Sequence, residues 1–512
     1  MSAEMHIGAK WRELARLHAD RTAIIDDRGG LTYRQFHARI VRFGNALRGL
    51  QLSKGDRVAL LVPDYREYLE ADYGIMSAGF VRVPLDPRLT RADLVALLRF
   101  VGARALVTHA SLADRTAELA GDVETLAHVV TVGGKAAGTA LDYELVLDRA
   151  SEQPLPEGDG DDLATLNFSG GTTGSPKAVM LRHRNLLAVA CNTIAGFAIG
   201  RDDVFLNVRP LWPIAQVTLM SYLFAGATVV LARFDPQRLA QLIQSTGATR
   251  TSLVPTQLVR SLENLQPNDA RLACLQAIHV GGSRIPPDVF RRALDILGPR
   301  ICALYGLTEA PVTCCLPPHA VVAASDERSR LIDSVGRALP HYEVQLAAAD
   351  EQVPADAGQS GEVLIRGPHV MAGYWRDAEA TSAALRDGWL HTGDIGKLDA
   401  SGNLYIVGRI KEVIRSGASS VIPKEVEDAI ASHPAVAEVA VLGLPDPEWG
   451  EAVTAFVVAK PGMAVSEREL VEHCRARLAA YKKPRAVRFV ASLPRSHYGK
   501  VLRAQLIAQA TG

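Results

Sequence analysis

The sequence predicts an α/β protein with a large N-terminal domain of helix-covered, largely parallel sheets and a small α+β C-terminal domain. Short aliphatic or β-branched runs recur between Gly, Pro or Asp residues, as at residues 57–62, 105–107 and 277–280. Longer amphipathic segments lie between such runs, at residues 66–78 and 287–297. Strands that alternate with helices favour parallel sheets that are covered by helices on both faces.

Length and a change of pattern divide the chain into two predicted domains. A chain of 512 residues is too long for one ordinary hydrophobic core. Near Gly408 the pattern changes to shorter, mixed elements. These are predicted as strands at residues 439–442, 454–459 and 487–490 and helices at residues 424–431 and 467–478. We therefore predict domains at residues 1–408 and 409–512.

Composition excludes several classes of function. Apolar residues make up 48% of the chain and charged residues 22%, which is typical of a soluble globular protein. The formal net charge is zero, so no basic surface for nucleic acid or an anionic membrane is expected. The six cysteines show no metal-binding spacing and no secretory signal is recognisable, so a cytoplasmic location is expected.

One uncharged stretch, residues 210–232, is long enough to raise the question of a membrane span. Polar side chains are scattered through it, and Gly226 separates a helix-like part from a short β-branched run at residues 228–231. A buried helix, turn and strand explain this pattern better than a span does. No membrane span is therefore expected.

The strongest local signal for chemistry is a run of glycines and hydroxyl residues that ends in a lysine. It comprises Ser169, Gly170, Gly171, Thr172, Thr173, Gly174, Ser175, Pro176 and Lys177. Glycines let the backbone approach an anion closely, hydroxyls donate hydrogen bonds, and a lysine adds a mobile positive charge. The spacing is not that of a Walker loop. The run predicts a phosphate-binding loop, and a flexible surface loop is the alternative.

This run resembles the phosphate-binding loop of the superfamily of acyl- and aryl-CoA synthetases, peptide-synthetase adenylation domains and luciferases. Further segments match signatures of the same superfamily in the expected order, at residues 305–309, 387–394, 408–411 and 494–500. The matches extend over nearly the whole chain. The resemblance implies ATP-dependent activation of a carboxylic acid as its acyl-adenylate, and a C-terminal domain that is mobile relative to the N-terminal domain.

The resemblance also implies which residues bind the nucleotide and its metal. Outside the loop, the predicted nucleotide-binding residues are Gly281, Gly282, Ser283, Tyr305, Gly306, Leu307, Thr308, Asp394, Arg409 and Lys500. Tyr305 would lie against adenine, and Asp394 would accept hydrogen bonds from the ribose with Arg409 beside it. Glu309 would hold Mg²⁺ against the triphosphate, because hard cations prefer oxygen ligands. The alternative for Asp394 is a helix or turn cap, and the alternative for residues 281–283 is a plain tight turn.

By the same resemblance, Lys500, Lys177, Thr172 and Glu309 are the predicted catalytic residues. Lys500 would lie between the attacking carboxylate and the α-phosphate, where a cation stabilises the developing charge. Lys411 occupies the hinge position, about which the C-terminal domain would turn. By composition alone, Lys500 would be an exposed lysine of the C-terminal tail.

The predicted pocket for the acyl group contains Trp212, Pro213, Gln216, Gly281 and Ala310. Pro213 stands where many members of the superfamily carry histidine, which indicates a bulky or unusual acid. The sequence leaves open whether that acid is fatty, aromatic or polycyclic.

Three functional hypotheses follow. The first is an acyl- or aryl-CoA ligase that uses ATP, Mg²⁺ and coenzyme A. The second is a stand-alone adenylating enzyme that passes the acyl group to a carrier-protein thiol or another nucleophile. The third, a non-catalytic nucleotide-binding relative, is disfavoured because Lys177, Glu309, Asp394 and Lys500 are all present. The oligomeric state stays open.

Overall fold

The computed structural model describes residues 5–134, 138–169, 177–212, 215–321, 331–347, 360–417, 419–495 and 501–511. The strands in these ranges are β1 (Thr22–Asp26), β2 (Gly29–Thr32), β3 (Arg57–Leu61), β4 (Val81–Pro84), β5 (Ala103–His109), β6 (His128–Val132), β7 (Leu141–Asp142), β8 (Leu163–Phe168), β9 (Ala178–Arg182), β10 (Val204–Asn207), β11 (Thr228–Leu231), β12 (Arg250–Leu253), β13 (Ala277–Val280), β14 (Ile301–Tyr305), β15 (Cys314–Leu316), β16 (Arg337–Ala338), β17 (Glu343–Leu346), β18 (Ser360–Arg366), β19 (Gly373–Tyr374), β20 (Leu385–Arg386), β21 (Trp389–Leu398), β22 (Leu404–Arg409), β23 (Ile414–Ser416), β24 (Ser419–Val421), β25 (Val436–Asp446), β26 (Gly450–Ala459) and β27 (Ala486–Phe489).

The α-helices in the same ranges are α1 (Ile7–Leu17), α2 (Tyr33–Gly49), α3 (Arg66–Ser77), α4 (Arg91–Val101), α5 (Ala113–Thr116), α6 (Leu119–Asp122), α7 (Tyr143–Arg149), α8 (His183–Phe197), α9 (Ala215–Phe224), α10 (Leu239–Thr246), α11 (Pro255–Leu262), α12 (Pro287–Leu297), α13 (Ala378–Ala384), α14 (Pro423–Ala431), α15 (Glu467–Arg475) and α16 (Arg503–Thr511).

Two long sheets form the larger part of the molecule. The first has the order β16-β15-β14-β13-β12-β10-β11-β1-β2, and its strands are parallel from β14 to β1. The second has the order β19-β9-β8-β4-β3-β5-β6-β7 and is parallel from β8 to β7. Antiparallel strands flank both parallel regions.

Both faces of these sheets are buried, as the aliphatic runs predict. In β3, Val58 and Leu60 belong to a large core that also contains the buried faces of α1, α2, α3, α8 and α9. The alternate residues Ala59 and Leu61 belong to a separate core under α4. The helices α10, α11 and α12 cover the other face of the first sheet. The predicted fold class is therefore confirmed.

Two smaller sheets complete the fold. One is antiparallel, with the order β17-β18-β21-β20 and β22 on β21. The other has the order β24-β23-β26-β25 with β27 on β26, and α14 and α15 pack on one face of it while α16 packs on the other. Strand β22 ends at Arg409 and β23 begins at Ile414, so the last sheet begins just beyond the predicted boundary at residue 408.

The uncharged stretch at residues 210–232 folds as predicted. It contains the buried helix α9, a turn in which Gly226 has a φ of +81°, and the strand β11. None of the helices in the described part of the chain is both long enough and apolar enough to cross a membrane.

Candidate active site

The predicted phosphate loop connects two neighbouring antiparallel strands. Phe168 at the end of β8 pairs with Ala178 at the start of β9, and the Ser169 amide donates a hydrogen bond to the Lys177 carbonyl oxygen at 3.0 Å. This bond closes the base of the loop. The residues between, including the predicted Gly170, Gly171, Thr172, Thr173 and Gly174, lie outside the described part of the chain.

A buried ion pair holds the strand that leads into this loop. Arg82 in β4 and Asp72 in α3 are both fully buried, with Nη1 and Oδ1 2.5 Å apart. The remaining guanidinium nitrogens of Arg82 donate to Thr165 Oγ1 at 3.0 Å and Asn167 Oδ1 at 2.9 Å, both on β8. Because a buried guanidinium needs all its donors satisfied, this arrangement fixes β8 against β4.

Tyr305, Asp394 and Arg409 meet where the ends of β14 and β22 lie beside the middle of β21. The Tyr305 hydroxyl donates to Asp394 Oδ2 at 2.8 Å, and Arg409 Nε lies 2.9 Å from Asp394 Oδ1. Asp394 and Arg409 are register partners in β21 and β22. The carboxylate is buried, with 3% of its side chain exposed, so each oxygen has a donor in place of water.

The protonation states of Tyr305 and Arg409 follow from their burial and from the adjacent Asp394 carboxylate. Burial, and then the negative charge of Asp394, raise the pKa of Tyr305 well above its usual value, so the hydroxyl keeps its proton and donates. Burial has the largest single effect on Arg409 and opposes its charge, but Asp394, Glu412 and other nearby acidic groups together outweigh burial and raise the pKa of Arg409. The site therefore holds a carboxylate between two fixed donors.

Glu309 and Lys177 come together through a residue that the sequence patterns did not single out, Tyr374. The Tyr374 hydroxyl donates to Glu309 Oε1 at 2.9 Å, and Lys177 Nζ lies 5.0 Å from the centroid of the Tyr374 ring. The Met371 amide also donates to the Glu309 carbonyl oxygen at 2.8 Å. The predicted metal carboxylate thus contacts the hydroxyl of Tyr374, and the loop lysine lies over the ring of the same residue.

Glycine is required at one position of the Tyr305–Glu309 segment. A Cβ on Gly306 would lie 2.5 Å from the Val312 amide nitrogen, which no side chain allows. The turn beyond it, which includes Leu307 and Thr308, is closed by a hydrogen bond from the Leu307 amide to the Ala310 carbonyl oxygen at 3.0 Å. The turn therefore presents Glu309 at the end of the β14–β15 hairpin.

The predicted turn at residues 281–283 does follow the end of β13. Gly281 is buried, and a Cβ there would lie 3.1 Å from Leu304 Cβ on the next strand. Gly282 has a φ of +93°, which favours glycine, and both it and Ser283 are exposed. The lack of a side chain at Gly281 thus lets the start of the turn pack closely against β14.

Lys500 lies outside the described residues, but the segment that carries it is closed at its base. Arg495 and Val501 form an antiparallel bridge, and the Leu502 amide donates to the Pro494 carbonyl oxygen at 2.8 Å. Leu493 and Leu506 bury this base in the core under α16. The predicted hinge residue Lys411 is exposed in a short 3₁₀ turn between β22 and β23.

Glu309 is the predicted metal ligand, and its oxygens suit Mg²⁺ chemically. In the described part of the chain, His, Cys, Asp and Glu side chains form no group of three or more that could hold a metal ion.

The known proteins that resemble this chain agree with the geometry. The AMP-binding enzyme family matches residues 11–375, and the AMP-binding enzyme C-terminal domain matches residues 425–500. The protein belongs to the AMP-binding enzyme family. The superfamily that the sequence motifs indicated is thus confirmed.

Relatives of this AMP-binding enzyme match it over nearly their full length. A feruloyl-CoA synthase of an Amycolatopsis species is 34% identical over 96% of this chain and 96% of that protein. The ATP-bound structure of MatB from Rhodopseudomonas palustris is 29% identical and covers 99% of both chains with a TM-score of 0.88. The amide bond synthetase McbA from Marinactinospora thermotolerans is 28% identical, with a TM-score of 0.87 over 99% of this chain and 100% of that chain.

The predicted acyl pocket of this AMP-binding enzyme is described in part. Trp212 and Ala310 are buried in the same apolar core, and the guanidinium of Arg88 lies 4.9 Å from the Trp212 ring centroid. Pro213 and the side chain of Gln216 lie outside the described residues.

A buried histidine supports the loop beside Ala310. The Thr313 hydroxyl lies 2.9 Å from the Ala310 carbonyl oxygen, to which it donates, and 3.1 Å from His369 Nε2. His369 stacks on Tyr342 with ring centroids 3.4 Å apart. Because the Thr313 proton points at Ala310, His369 Nε2 carries the hydrogen of the second bond. The ring is neutral, since burial lowers the pKa of His369 to about 3.

We expect this histidine to lower the stability of the fold at acidic pH. The folded state does not protonate His369 until pH falls to about 3, whereas the unfolded chain takes up the proton near the ordinary pKa of 6.5. Its contribution to stability is therefore present above pH 6.5 and is lost as pH falls from 6.5 towards 3. His369→Gln should reduce the slope of unfolding free energy against pH in that window by up to about 1.4 kcal/mol per pH unit.

Urea unfolding measured at a series of pH values tests this expectation. His319→Gln, which changes an exposed histidine, is the matched control and should keep the parent slope. A parent slope in the His369→Gln variant would contradict the assignment of His369 as a neutral buried group.

Proposed function

We propose that this AMP-binding enzyme activates a carboxylic acid with ATP as its acyl-adenylate and then transfers the acyl group to coenzyme A. AMP and pyrophosphate are the other products. The observation that carries this proposal is the buried Asp394 carboxylate between Tyr305 and Arg409, within a fold that matches an ATP-bound relative over its whole length. Each oxygen of a carboxylate can accept more than one hydrogen bond, so Asp394 can accept from the ribose hydroxyls while Tyr305 and Arg409 hold it in place.

In the first half-reaction, an oxygen of the acid attacks the α-phosphorus, and the bond from that phosphorus to the bridging oxygen of pyrophosphate breaks. We assign the loop that ends at Lys177 to the departing phosphates. Glu309 would bind Mg²⁺, which neutralises phosphate charge when it is bound. Lys500 would lie between the two reacting anions.

In the second half-reaction, a thiol loses its proton and its sulfur attacks the acyl carbon, and the bond to AMP breaks. We propose that the C-terminal domain turns about Lys411 between the two steps, so that Lys500 is withdrawn. The feruloyl-CoA synthase relative supports coenzyme A as the thiol.

An ion pair joins the two sides of the proposed hinge at Lys411 in the present arrangement. Arg284, just after the Gly281–Gly282–Ser283 turn, donates through Nη1 to Asp428 Oδ1 of α14 at 2.6 Å. Its Nε donates to Asp333 Oδ1 at 3.1 Å, and Lys424 also contacts Asp428. A turn about Lys411 would separate Arg284 from Asp428, because they lie on opposite sides of the proposed hinge.

Arg284→Ala should therefore favour the other domain arrangement without unfolding the protein. Exposed ion pairs contribute about 0.2–1 kcal/mol, so we expect trypsin to cleave near Lys411 up to about fivefold faster. The melting temperature should change little. Arg366→Ala, which breaks an exposed pair with Glu343 within one sheet, is the control. Equal cleavage rates in both variants would show that Arg284 does not restrain the domains.

Product analysis tests the proposed function. The enzyme is incubated with Mg²⁺, ATP, coenzyme A and each of a panel of fatty, aromatic and polycyclic acids, and pyrophosphate, acyl-adenylate and thioester are measured. A thioester is the expected product with the correct acid. An acyl-adenylate that accumulates with coenzyme A present, without thioester, would reject the ligase assignment.

A second candidate differs only in the acceptor. The protein McbA, which has this fold and a similar length, is an amide bond synthetase, and an amide bond requires an amine as the acceptor. Carrier-protein thiols and amines therefore belong in the same assay, each in place of coenzyme A.

We also propose a cytoplasmic location, because all six cysteines are free thiols, as is usual in a reducing compartment.

A further inference from the structure

Tyr374 contacts two predicted active-site residues through different parts of its side chain. Its hydroxyl donates to one oxygen of the Glu309 carboxylate at 2.9 Å, and its ring lies 5.0 Å from the ammonium group of Lys177. A cation over a ring face is attracted by the ring's quadrupole, and a phenol that donates to a carboxylate fixes that carboxylate's orientation.

Three structural features fix the backbone of Tyr374 in this position. Tyr374 pairs with Val179 of β9, two residues after Lys177, so its position is tied to the exit of the phosphate loop. Its amide donates to Thr381 Oγ1 at 2.9 Å. The neighbouring Gly373 has a φ of +139°, and a Cβ there would lie 2.7 Å from Thr381 Cγ2. The aromatic ring is therefore positioned by structure that is independent of any ligand.

The hydrogen bond from the Tyr374 hydroxyl uses one oxygen of the Glu309 carboxylate, Oε1. A carboxylate has a second oxygen, and Oε2 is the one that we assign to the cation.

We propose that Tyr374 is a positioning residue that sets the Glu309 carboxylate for Mg²⁺ and the Lys177 ammonium group for the phosphates of the same nucleotide. The hydroxyl orients the Glu309 carboxylate, and the ring holds the Lys177 ammonium group. This inference rests on the proposed function, since both neighbours are assigned to Mg²⁺ and ATP binding.

Two variants separate the two parts of the side chain. Tyr374→Phe keeps the ring and removes the donor, so the Mg²⁺ concentration for half-maximal ATP binding should rise about threefold to tenfold, with ATP affinity at saturating Mg²⁺ near the parent value. Tyr374→Leu removes the ring as well. It should show the same Mg²⁺ effect and, in addition, about twofold to fivefold weaker ATP binding at saturating Mg²⁺.

The experiment is a calorimetric titration of the full chain with ATP at a series of Mg²⁺ concentrations. Tyr405→Phe is the matched control, because it removes an exposed tyrosine hydroxyl that donates to Asp399 Oδ2 at 3.1 Å, away from Glu309. Thermal unfolding of each variant confirms that the chain is folded. The Tyr405→Phe variant should keep the parent Mg²⁺ requirement.

The outcomes are distinct. A Mg²⁺ requirement in Tyr374→Phe within twofold of the parent value overturns the role of the hydroxyl. Equal ATP affinities of Tyr374→Leu and Tyr374→Phe at saturating Mg²⁺ overturn the role of the ring. Because ATP binding is measured without any acid, these results stand even if no acid in the product assay yields pyrophosphate, which would reject the proposed function alone.

Discussion

Lys500→Ala is expected to slow formation of the acyl-adenylate by about 10²–10³-fold, which is the usual effect of removing one preorganised charge at a reacting centre. Thioester formation from supplied acyl-adenylate should stay within a few-fold of the parent rate, because in the proposed second step Lys500 is withdrawn. Pyrophosphate release measures the first rate, and thioester formation from chemically prepared acyl-adenylate measures the second.

The control for this prediction is Lys460→Ala, which removes an exposed lysine of the same C-terminal region. Both of its half-reactions should match the parent protein. If Lys500→Ala slowed both half-reactions equally, the lysine would not act in the adenylation step alone, and the proposed domain alternation would lose its main support.

Asp394→Asn should weaken ATP binding by about 10- to 100-fold, because a hydrogen bond to a charged group contributes about 1.5–3 kcal/mol and tenfold in affinity corresponds to 1.4 kcal/mol. The change removes the charge and turns one acceptor into a donor. Arg409 then loses the carboxylate that it contacts at 2.9 Å, and Tyr305 loses a charged acceptor. Both donors would remain buried or half-buried with poorer partners.

Calorimetric titration with ATP and Mg²⁺ measures this effect, and urea unfolding shows how much of it is stability. Asp399→Asn is the control, since Asp399 accepts hydrogen bonds in the turn at the other end of the same β21–β22 hairpin. It should keep the parent ATP affinity. Parent-like ATP binding by Asp394→Asn would contradict the ribose assignment, whatever its stability.

Much of the fold could be predicted from the sequence because the signals are local. A continuous aliphatic run that is buried on both faces indicates a parallel strand, and β13 begins and ends where its run does. Helix α12 likewise spans the predicted residues 287–297. The order of strands within the sheets has no local signal, because it depends on which buried faces pack together over long sequence separations.

The site was predictable to the extent that its residues belong to motifs. Asp394, Arg409 and Tyr305 each lie in a recognisable segment, and the structure brings these three together. Tyr374 belongs to none of those segments. It could not be singled out, because its two contacts depend on the pairing of β19 with β9 and on the position of the β14–β15 hairpin.

The sequence alone determined the fold class, the family motifs and the chemical types that suit a nucleotide, because glycines, hydroxyls and charges act through short-range spacing. The tertiary structure alone decided the partners of those charges. Asp394 has Tyr305 and Arg409, and Glu309 shares Tyr374 with Lys177. Hydrogen bonds and ion pairs form within about 3–4 Å, and only the packing of separate elements brings residues that are tens to hundreds of positions apart within that range.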